Sequence, residues 1–531
     1  MMSLGPLVLS AALACGPQVV LVDSDSAAST TGFTTTTTTS TMTSSSGTTS
    51  EVTTGDGATA PTSTTGELVC EPPVGEPGAL ASLLHATGQG KQTLQAVKFD
   101  GAGNTYVAGN FTRELKVGGA MTTVMGELPA PFVAKFDCAG ELLWLSVGEP
   151  EANATGTAGA LAVADEEVFI GGSIAGTLGF PSGTIEGGPG GAFVARFEAA
   201  TGALLAGRVL GEGATAVHAL ALADGSIHAA GSCADPDVPE TFGILHAQLD
   251  LELGPVAPRC LYSPALPPSM DQARVATSAR AVAVAADGDV ILAGQITGPL
   301  DDGTVPVVSG DADGFVARLQ LPLAAGPMLF DGGWITTLGD TERRDRVNGM
   351  ALADNGDVIA VGLGHGKFFP QNPPGCESTS GDLYTAFVTR LAAGDGACVA
   401  HQMLESDALQ ATEAHGVATR GQDIYVLGQF GRSLGIAGEP VVPSGAAEAG
   451  VRMFLLGLGE GWEVKTSYIS EQVDSDIPCI SDDEPRALGY DLAAGPDVVM
   501  AVADACGGGV ELDGTPIEDS DAFLAGFVPA Q

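Results

Sequence analysis

Apolar residues along most of the chain come in short runs that alternate with polar or small ones. No run carries the spacing of a long helix. Ala281-Val-Ala-Val284 and Phe315-Val-Ala-Arg-Leu319 have a period near two, which predicts strands. The pattern also recurs. A run rich in Ala and Gly ("ALAVAD", "ALALAD", "AVAVAAD") is followed by a turn signal and then by a run rich in Val, Ile, Tyr and Leu that reaches a glycine. Those glycines are Gly109, Gly172, Gly231, Gly294, Gly362 and Gly428, spaced 63, 59, 63, 68 and 66 residues apart. A seventh copy, "LAAGPDVVMAV", puts Val502 at the equivalent place. "AADGDVILAG", from Ala285 to Gly294, predicts a hairpin with Asp287-Gly288 as a two-residue turn, because such steps favour positive φ.

Each copy has a second half. It reads "APFVAKFD" (130–137), "GAFVARFE" (191–198), "DGFVARLQ" (313–320) and "TAFVTRLA" (385–392), and a further apolar run follows in most copies. One unit is therefore an A strand, a turn, a B strand, a long variable loop, a C strand, a short turn and a D strand. Four antiparallel strands copied seven times predict an all-β fold, a seven-bladed β-propeller of four-stranded antiparallel blades. Small residues suit the innermost A strands, where bulky side chains would clash around an axis. The seventh copy stops after its C strand, "DAFLAGFVPAQ", while "GALASLLHATG" (78–88) precedes the first A strand without a unit of its own. The N-terminal strand is expected to close the last blade and leave no open edge.

Composition agrees with this picture and narrows the partners. The chain has 531 residues, 44% of them apolar and only 5% aromatic, with 75 glycines. That balance suits short strands with glycine turns. With 21 Lys and Arg against 64 Asp and Glu, the formal charge is −43. Such a surface repels nucleic acid and anionic membranes, and neither is an expected ligand.

The N-terminus departs from the repeat. Residues 1–15, "MMSLGPLVLSAALAC", hold an apolar core too short to span a bilayer but of signal-peptide length. "ALAC" resembles the lipobox of bacterial lipoproteins, with Ala12 at the place where leucine is usual and no Lys or Arg ahead of the apolar run. The resemblance implies lipidation of Cys15 and an exported protein, anchored to the bacterial outer membrane or cell surface. No other run is apolar and long enough for a transmembrane helix, so lipid would be the only membrane contact. Residues 16–69 are dominated by a Thr/Ser tract that cannot bury enough surface to fold. As a flexible tether of about 50 residues it would hold residues 70–531, the propeller, roughly 40 Å from the anchor.

The repeats themselves resemble the bacterial seven-bladed β-propeller repeats of extracellular proteins. "AVAVAADGDVILAGQI … DADGFVARL" and "AVKFDGAGNTYVAGNF … APFVAKF" carry the resemblance, which covers about residues 78–531. It is specific for fold and not for function. Lipobox, Thr/Ser stalk and propeller together resemble the cell-surface lipoproteins of myxobacteria.

Apart from Cys15 there are eight cysteines: Cys70, Cys138, Cys233, Cys260, Cys376, Cys398, Cys479 and Cys506. None forms the C-x-x-C of a zinc or redox site, and an even set in an exported chain reads as disulfides. The repeat frame pairs Cys233 with Cys260, Cys376 with Cys398 and Cys479 with Cys506 inside units, which leaves Cys70 with Cys138. The alternative is that some stay buried thiols.

Catalytic signatures are missing. H-E-x-x-H, G-x-S-x-G and a P-loop do not occur, the Asp boxes of sialidase propellers are absent, and three Trp cannot supply quinoprotein docking motifs. Among seven histidines, His218 and His246 are placed to face each other within unit three. No cofactor is expected, except that "GDADG" (310–314) offers Asp311 and Asp313 as a partial Ca²⁺ loop. The expected function is a surface-tethered, non-enzymatic, monomeric binding or scaffolding module. Its long B–C loops would meet an extracellular protein or glycan. The alternatives are an extracellular hydrolase or lyase with its site at the propeller channel, and a purely structural envelope protein. Unlike titratable groups gathered at the channel would favour the enzyme.

Overall fold

The computed structural model describes residues 75–530, apart from 126, 212, 235–241, 255–257, 263–276, 298–312, 321–332, 340–344, 369–375, 377, 380–383, 406–411, 432, 437, 443–451, 473–488, 505–509 and 518–520. Among them every regular element is a strand. The A strands of the seven units are Gln92–Phe99, Thr155–Val163, Ala214–Ala223, Ser278–Val284, Arg346–Leu352, Glu413–Arg420 and Gly489–Ala494. In each unit the order across the sheet is A-B-C, with every neighbouring pair antiparallel, and units one to six add their own D strand. In unit four these are Ser278–Val284, Val290–Ile296, Asp313–Leu319 and Trp334–Leu338. In unit seven the fourth place is taken by Leu80–Thr87, which pairs antiparallel with the C strand Ala522–Phe527, Leu84 opposite Leu524. The A strands pack on one another in chain order, and the seventh packs on the first.

The recurrent glycine has a physical cause. Each A strand carries a β-bulge, and the bulge presses a carbonyl against the B strand. A Cβ on Gly172 would lie 1.7 Å from Thr157 O, and one on Gly362 2.0 Å from Arg346 O. On the other side the glycine faces a C-strand phenylalanine in five units, as in Gly109 opposite Phe132 and Gly428 opposite Phe454, and Leu245 in unit three. Only a residue without a side chain fits between them. Unit seven differs. Its equivalent position is Ala503 and not Val502, and the glycine has moved to the facing strand as Gly489. The turn in "AADGDVILAG" is also wider than two residues. Strand A stops at Val284 and strand B starts at Val290, with Gly288 at φ 91°. A two-residue turn with both residues at positive φ does occur in unit three, at Asp224-Gly225.

Apolar side chains fill the seams between neighbouring sheets. Phe132 of unit one packs with Val502 and Leu524 of unit seven, and Phe454 of unit six with Ile359 and Val388 of unit five. A cation on the C strand ties the same seams. Arg318 binds Asp289 of its own A–B turn (Nε to Oδ2, 2.9 Å) and donates to the Ala393 carbonyl of unit five (2.6 Å), where Trp334 Nε1 also donates. Lys135 does the same with Asp100 (3.4 Å) and the Ala199 carbonyl (3.3 Å). Asp100 is held below the usual carboxylate range: burial alone would raise it, and hydrogen bonds from Asn104 and Tyr106 with the charge of Lys135 outweigh that.

The B–C loops contain strands beyond the four expected in each unit. In unit one Glu114–Val117 and Ala120–Thr123 form a hairpin, which pairs with the N-terminal strand, Ala86 opposite Val117. In unit six Leu434–Ile436 pairs with the D strand of unit five, Leu404 opposite Ile436. In units two and seven the hairpin pairs with the short strand after the preceding D strand, Leu178 opposite Pro150 and Glu511 opposite Glu471. These loops clasp one sheet to the sheet before it.

Candidate functional site

The bulges that explain the glycines also build a site. An antiparallel bulge leaves one residue out of the ladder and turns its side chain. Register is skipped at Gln95, His218, Arg280, Asn348, His415 and Tyr490, and in unit two at Gly159. All seven line one cavity of about 350 Å³, to which every A strand contributes. The backbone position repeats while the side chain does not. The residue after each bulge is small in six units (Ala96, Ala160, Ala219, Ala281, Gly349 and Gly416). The strands meet closely here, and a Cβ on Gly349 would lie 2.6 Å from His415 O. In unit seven this position is Asp491, whose Oδ2 accepts from Lys98 Nζ (2.7 Å) and from the Val97 amide (3.1 Å).

A carboxylate anchors one side of the ring. Glu413, 1% exposed, accepts at Oε1 from Arg346 Nε (3.0 Å), Arg346 Nη2 (2.5 Å) and Asn348 Nδ2 (2.8 Å). Its desolvation favours the neutral acid, but Arg346, His415 and Asn348 outweigh that and hold its pKa below the ordinary value. His415 Nδ1 lies 3.8 Å from the same Oε1. Burial pushes the His415 pKa down to about 4, against the pull of Glu413 and with help from Arg346 and Arg280. At 3.8 Å the imidazole and the carboxylate are in ion-pair range but beyond hydrogen-bond reach. Nε2 is buried without a hydrogen-bond partner, as is Glu413 Oε2.

Across the ring, His218 Nε2 lies 3.2 Å from Ser232 Oγ, which in turn meets Thr215 Oγ1 at 2.8 Å. Burial and then the charge of Arg280 hold its pKa down to about 4. Arg280 is exposed to the cavity, and its charge acts on both histidines. The Tyr490 hydroxyl donates to Asp504 (3.0 Å). The wall therefore offers a neutral imidazole, a cation and amide groups, and Asp491 is the one acidic side chain among the lining residues.

The residues singled out in the sequence lie elsewhere. His246 does not face His218; it stacks on His228 inside the sheet of unit three, ring nitrogens 3.4 Å apart, because the two sit diagonally on one face of the B and C strands, where His228 is opposite Gln248 and His246 opposite Ala230. Cys376 and Cys398 form the expected disulfide, with Cα atoms 6.2 Å apart. Cys233 and Cys260 do come together, but as thiols. The hydrogen bond with Cys260, and then burial, push the Cys233 thiol up. Cys138 is disulfide-bonded. Cys15, Cys70, Cys479, Cys506 and Asp311 lie outside the described residues. Asp313 is a buried residue opening the C strand of unit four. Among the described residues no three His, Cys, Asp or Glu side chains gather as a metal site. The ring was missed because bulges leave no motif. One signal was available: a position thirteen or fourteen residues before the recurrent glycine (His218 to Gly231, Gln95 to Gly109) that varies while its neighbours repeat.

No protein-family model and no curated protein matches the chain. Solved structures similar to it include the polysaccharide lyase Uly1, with 11% identity over 85% of this chain and 99% of that one, at a TM-score of 0.42. Hydrazine synthase of Kuenenia stuttgartiensis has 10% identity over 78% of this chain and 93% of that one, at 0.41. The WD40 β-propeller domain of Doa1 has 13% identity over 66% and 93%, at 0.28. None of these likenesses bears on activity. The repeated antiparallel sheets, packed A strand to A strand around one cavity, make the chain an all-β protein of β-propeller type.

Proposed function

We propose that the chain is a cell-surface binding module, tethered through Cys15 and the Thr/Ser stalk, which holds a polar extracellular ligand in the axial cavity of a seven-bladed propeller closed by its N-terminal strand. The packing of the seventh A strand on the first, and the pairing of Leu84 with Leu524, support the closed ring. The observation that carries the ligand site is the bulge ring: six polar side chains of five kinds stand at one repeated backbone position around a cavity large enough for a small ligand. A purely structural ring has no reason to diversify that position alone. The described B–C hairpins are engaged in clasping neighbouring sheets, which favours the cavity over the loops as the site.

The test is a thermal-shift screen of extracellular glycans, peptides and small acids on the folded chain and on Gln95→Trp, which fills the cavity from its wall. Ligands of the cavity raise the melting temperature of the wild type and not of the variant. Equal shifts in both proteins overturn the cavity as the site. For the tether, Cys15→Ser is expected to appear in the medium; unchanged fractionation sinks the lipid anchor.

A lyase or hydrolase acting in the same cavity is the second reading. Glu413 beside His415 favours it, because a neutral imidazole can take a proton and a nearby carboxylate stabilises the charge that results. Turnover of any ligand found in the screen, abolished by His415→Gln with binding kept, decides for it.

A further inference from the structure

We infer that the Lys98–Asp491 pair is the recognition element of the axial cavity, and that the ligand is an uncharged monosaccharide held by vicinal hydroxyls between the two side chains, with a further hydroxyl at His415 Nε2. The inference rests on the cavity being the ligand site and adds the class and the seat of the ligand.

The repeat itself singles out the pair. Three residues after the bulge the other six units carry alanine, at Ala162, Ala221, Ala283, Ala351, Ala418 and Ala493, while unit one carries Lys98. One residue after the bulge the other six carry alanine or glycine, while unit seven carries Asp491. The two departures lie on A strands that pack on each other, both line the cavity, and their side chains meet at 2.7 Å. Alanine or glycine satisfies the packing at both positions in every other copy, so packing does not call for a charge at either.

Hydrogen bonding gives the seat. Both bonds that Asp491 accepts, from Lys98 Nζ and from the Val97 amide, end on Oδ2, which leaves Oδ1 open among the described residues. Lys98 Nζ has three hydrogens and gives one of them to Asp491. Oδ1 can therefore accept from one hydroxyl while Nζ donates to its neighbour, which is what a vicinal diol offers. His415 stands on the A strand of unit six, which packs on that of unit seven. Its Nε2 is buried without a partner, in a residue 6% exposed that lines the cavity. A hydroxyl suits that nitrogen in either tautomer, because it donates as well as accepts. Units three to five are more committed. His218 Nε2 meets Ser232, both hydrogens of the Asn348 amide go to Glu413 and the Ala414 carbonyl, and Arg280 has an interaction of its own in the protein.

Charge and size give the class. The open positions belong to a cation and an anion in contact, beside an imidazole that is neutral at pH 7. An anionic ligand seated there would face Asp491, and a cationic one would face Lys98. A neutral polyol meets both and leaves no charge unpaired. A cavity of about 350 Å³ takes one sugar-sized unit.

The experiment is isothermal titration of the full chain at pH 7.5 with D-glucose, D-galactose and D-mannose, and with cyclohexanol as a six-membered ring that lacks the vicinal pair. At least one of the sugars is expected to bind, at least tenfold tighter than cyclohexanol. The double variant Lys98→Ala/Asp491→Ala restores the residue class of the other copies and removes both charges together. It should keep the melting temperature and weaken the sugar at least tenfold. Lys98→Met, which keeps the stem of the side chain, should weaken it at least fivefold, and Arg113→Gln, on an exposed ion pair outside the cavity wall, should change nothing. Sugar binding kept in the double variant but lost in Gln95→Trp overturns the pair and leaves the cavity as the site; binding equal in Gln95→Trp overturns the cavity as well. A lower melting temperature with sugar binding kept makes the pair a lock between the first and last units and overturns its role in recognition. No binding of any of the three sugars, or cyclohexanol bound as tightly, overturns the inference outright.

Discussion

The seams between sheets and the ring around the axis are built from the same repeat, and they treat it in opposite ways. At the seams the copies agree. Phe132, Phe193, Phe315, Phe387 and Phe454 occupy one C-strand position and are fully buried. Lys135, Arg196, Arg318 and Arg390 follow three residues later, each paired with an acid of its own sheet. At the ring the copies disagree: one backbone position, skipped by the ladder in every A strand, carries Gln, Gly, His, Arg, Asn, His and Tyr. A repeat is under the same packing demand in every copy, so agreement marks what packing requires. Disagreement at an equivalent backbone position marks what packing leaves open for a ligand.

The contrast can be broken at the seam first. Phe387→Ala removes a fully buried ring that packs on Phe368 at 5.3 Å, and it should cost about 3–5 kcal/mol in denaturant unfolding. A loss under about 1 kcal/mol would mean that the seams are not where stability resides.

Acid should act on the seams as well. Burial holds His401 at about 4 and His246 at about 3, both well below an unfolded histidine near 6.5. Above pH 6.5 these groups are neutral in both states and contribute no pH dependence. Below it the unfolded chain takes up the proton first, so stability falls with pH by about 1.4 kcal/mol per unit for each group until the folded value is reached. His401 stacks on Phe368 at 5.1 Å, and His401→Phe keeps an aromatic ring there. The variant should lose stability less steeply than the wild type between pH 6.5 and 4.5; identical slopes would contradict the burial of a neutral imidazole.

A smaller effect is expected from the cation. Arg318→Ala removes the bonds to Asp289 and to the Ala393 carbonyl and should cost about 1–3 kcal/mol, less than the phenylalanine because Trp334 still donates to that carbonyl. Gln95→Ala at the ring should change stability least, within about 0.5 kcal/mol, as a side chain on an open wall. If Gln95→Ala were as damaging as Arg318→Ala, the ring would be packing too, and the distinction between the two regions would collapse.

Several particulars show how far the residues could be read. Cys376 with Cys398 was legible because both fall inside one unit, and a unit is one sheet. Cys233 and Cys260 were brought to the same place by the same reasoning, yet as thiols, since proximity within a sheet does not settle the redox state. His218 and His246 were set against each other wrongly. The bulge at His218 turns that side chain into the cavity, while His246 stacks diagonally across the B and C strands on His228. The hairpins in the B–C loops were not legible because their strands are three or four residues long and are anchored by pairing with a strand outside their own unit.

The amino-acid sequence by itself determined the strands, the repeated antiparallel unit and the recurrent glycine toward the end of most B strands. Period-two patterning and turn chemistry are local, and seven copies let each local signal be read several times over. Only the tertiary structure decided where chemistry could happen. A one-residue bulge appears when an A strand is pressed between its B strand and its neighbours at the axis, and a cavity exists only once seven such strands, some sixty residues apart along the chain, have been brought side by side. His415, Arg280 and His218 are strangers in the sequence, and it is the packing of A strand on A strand that makes them one wall.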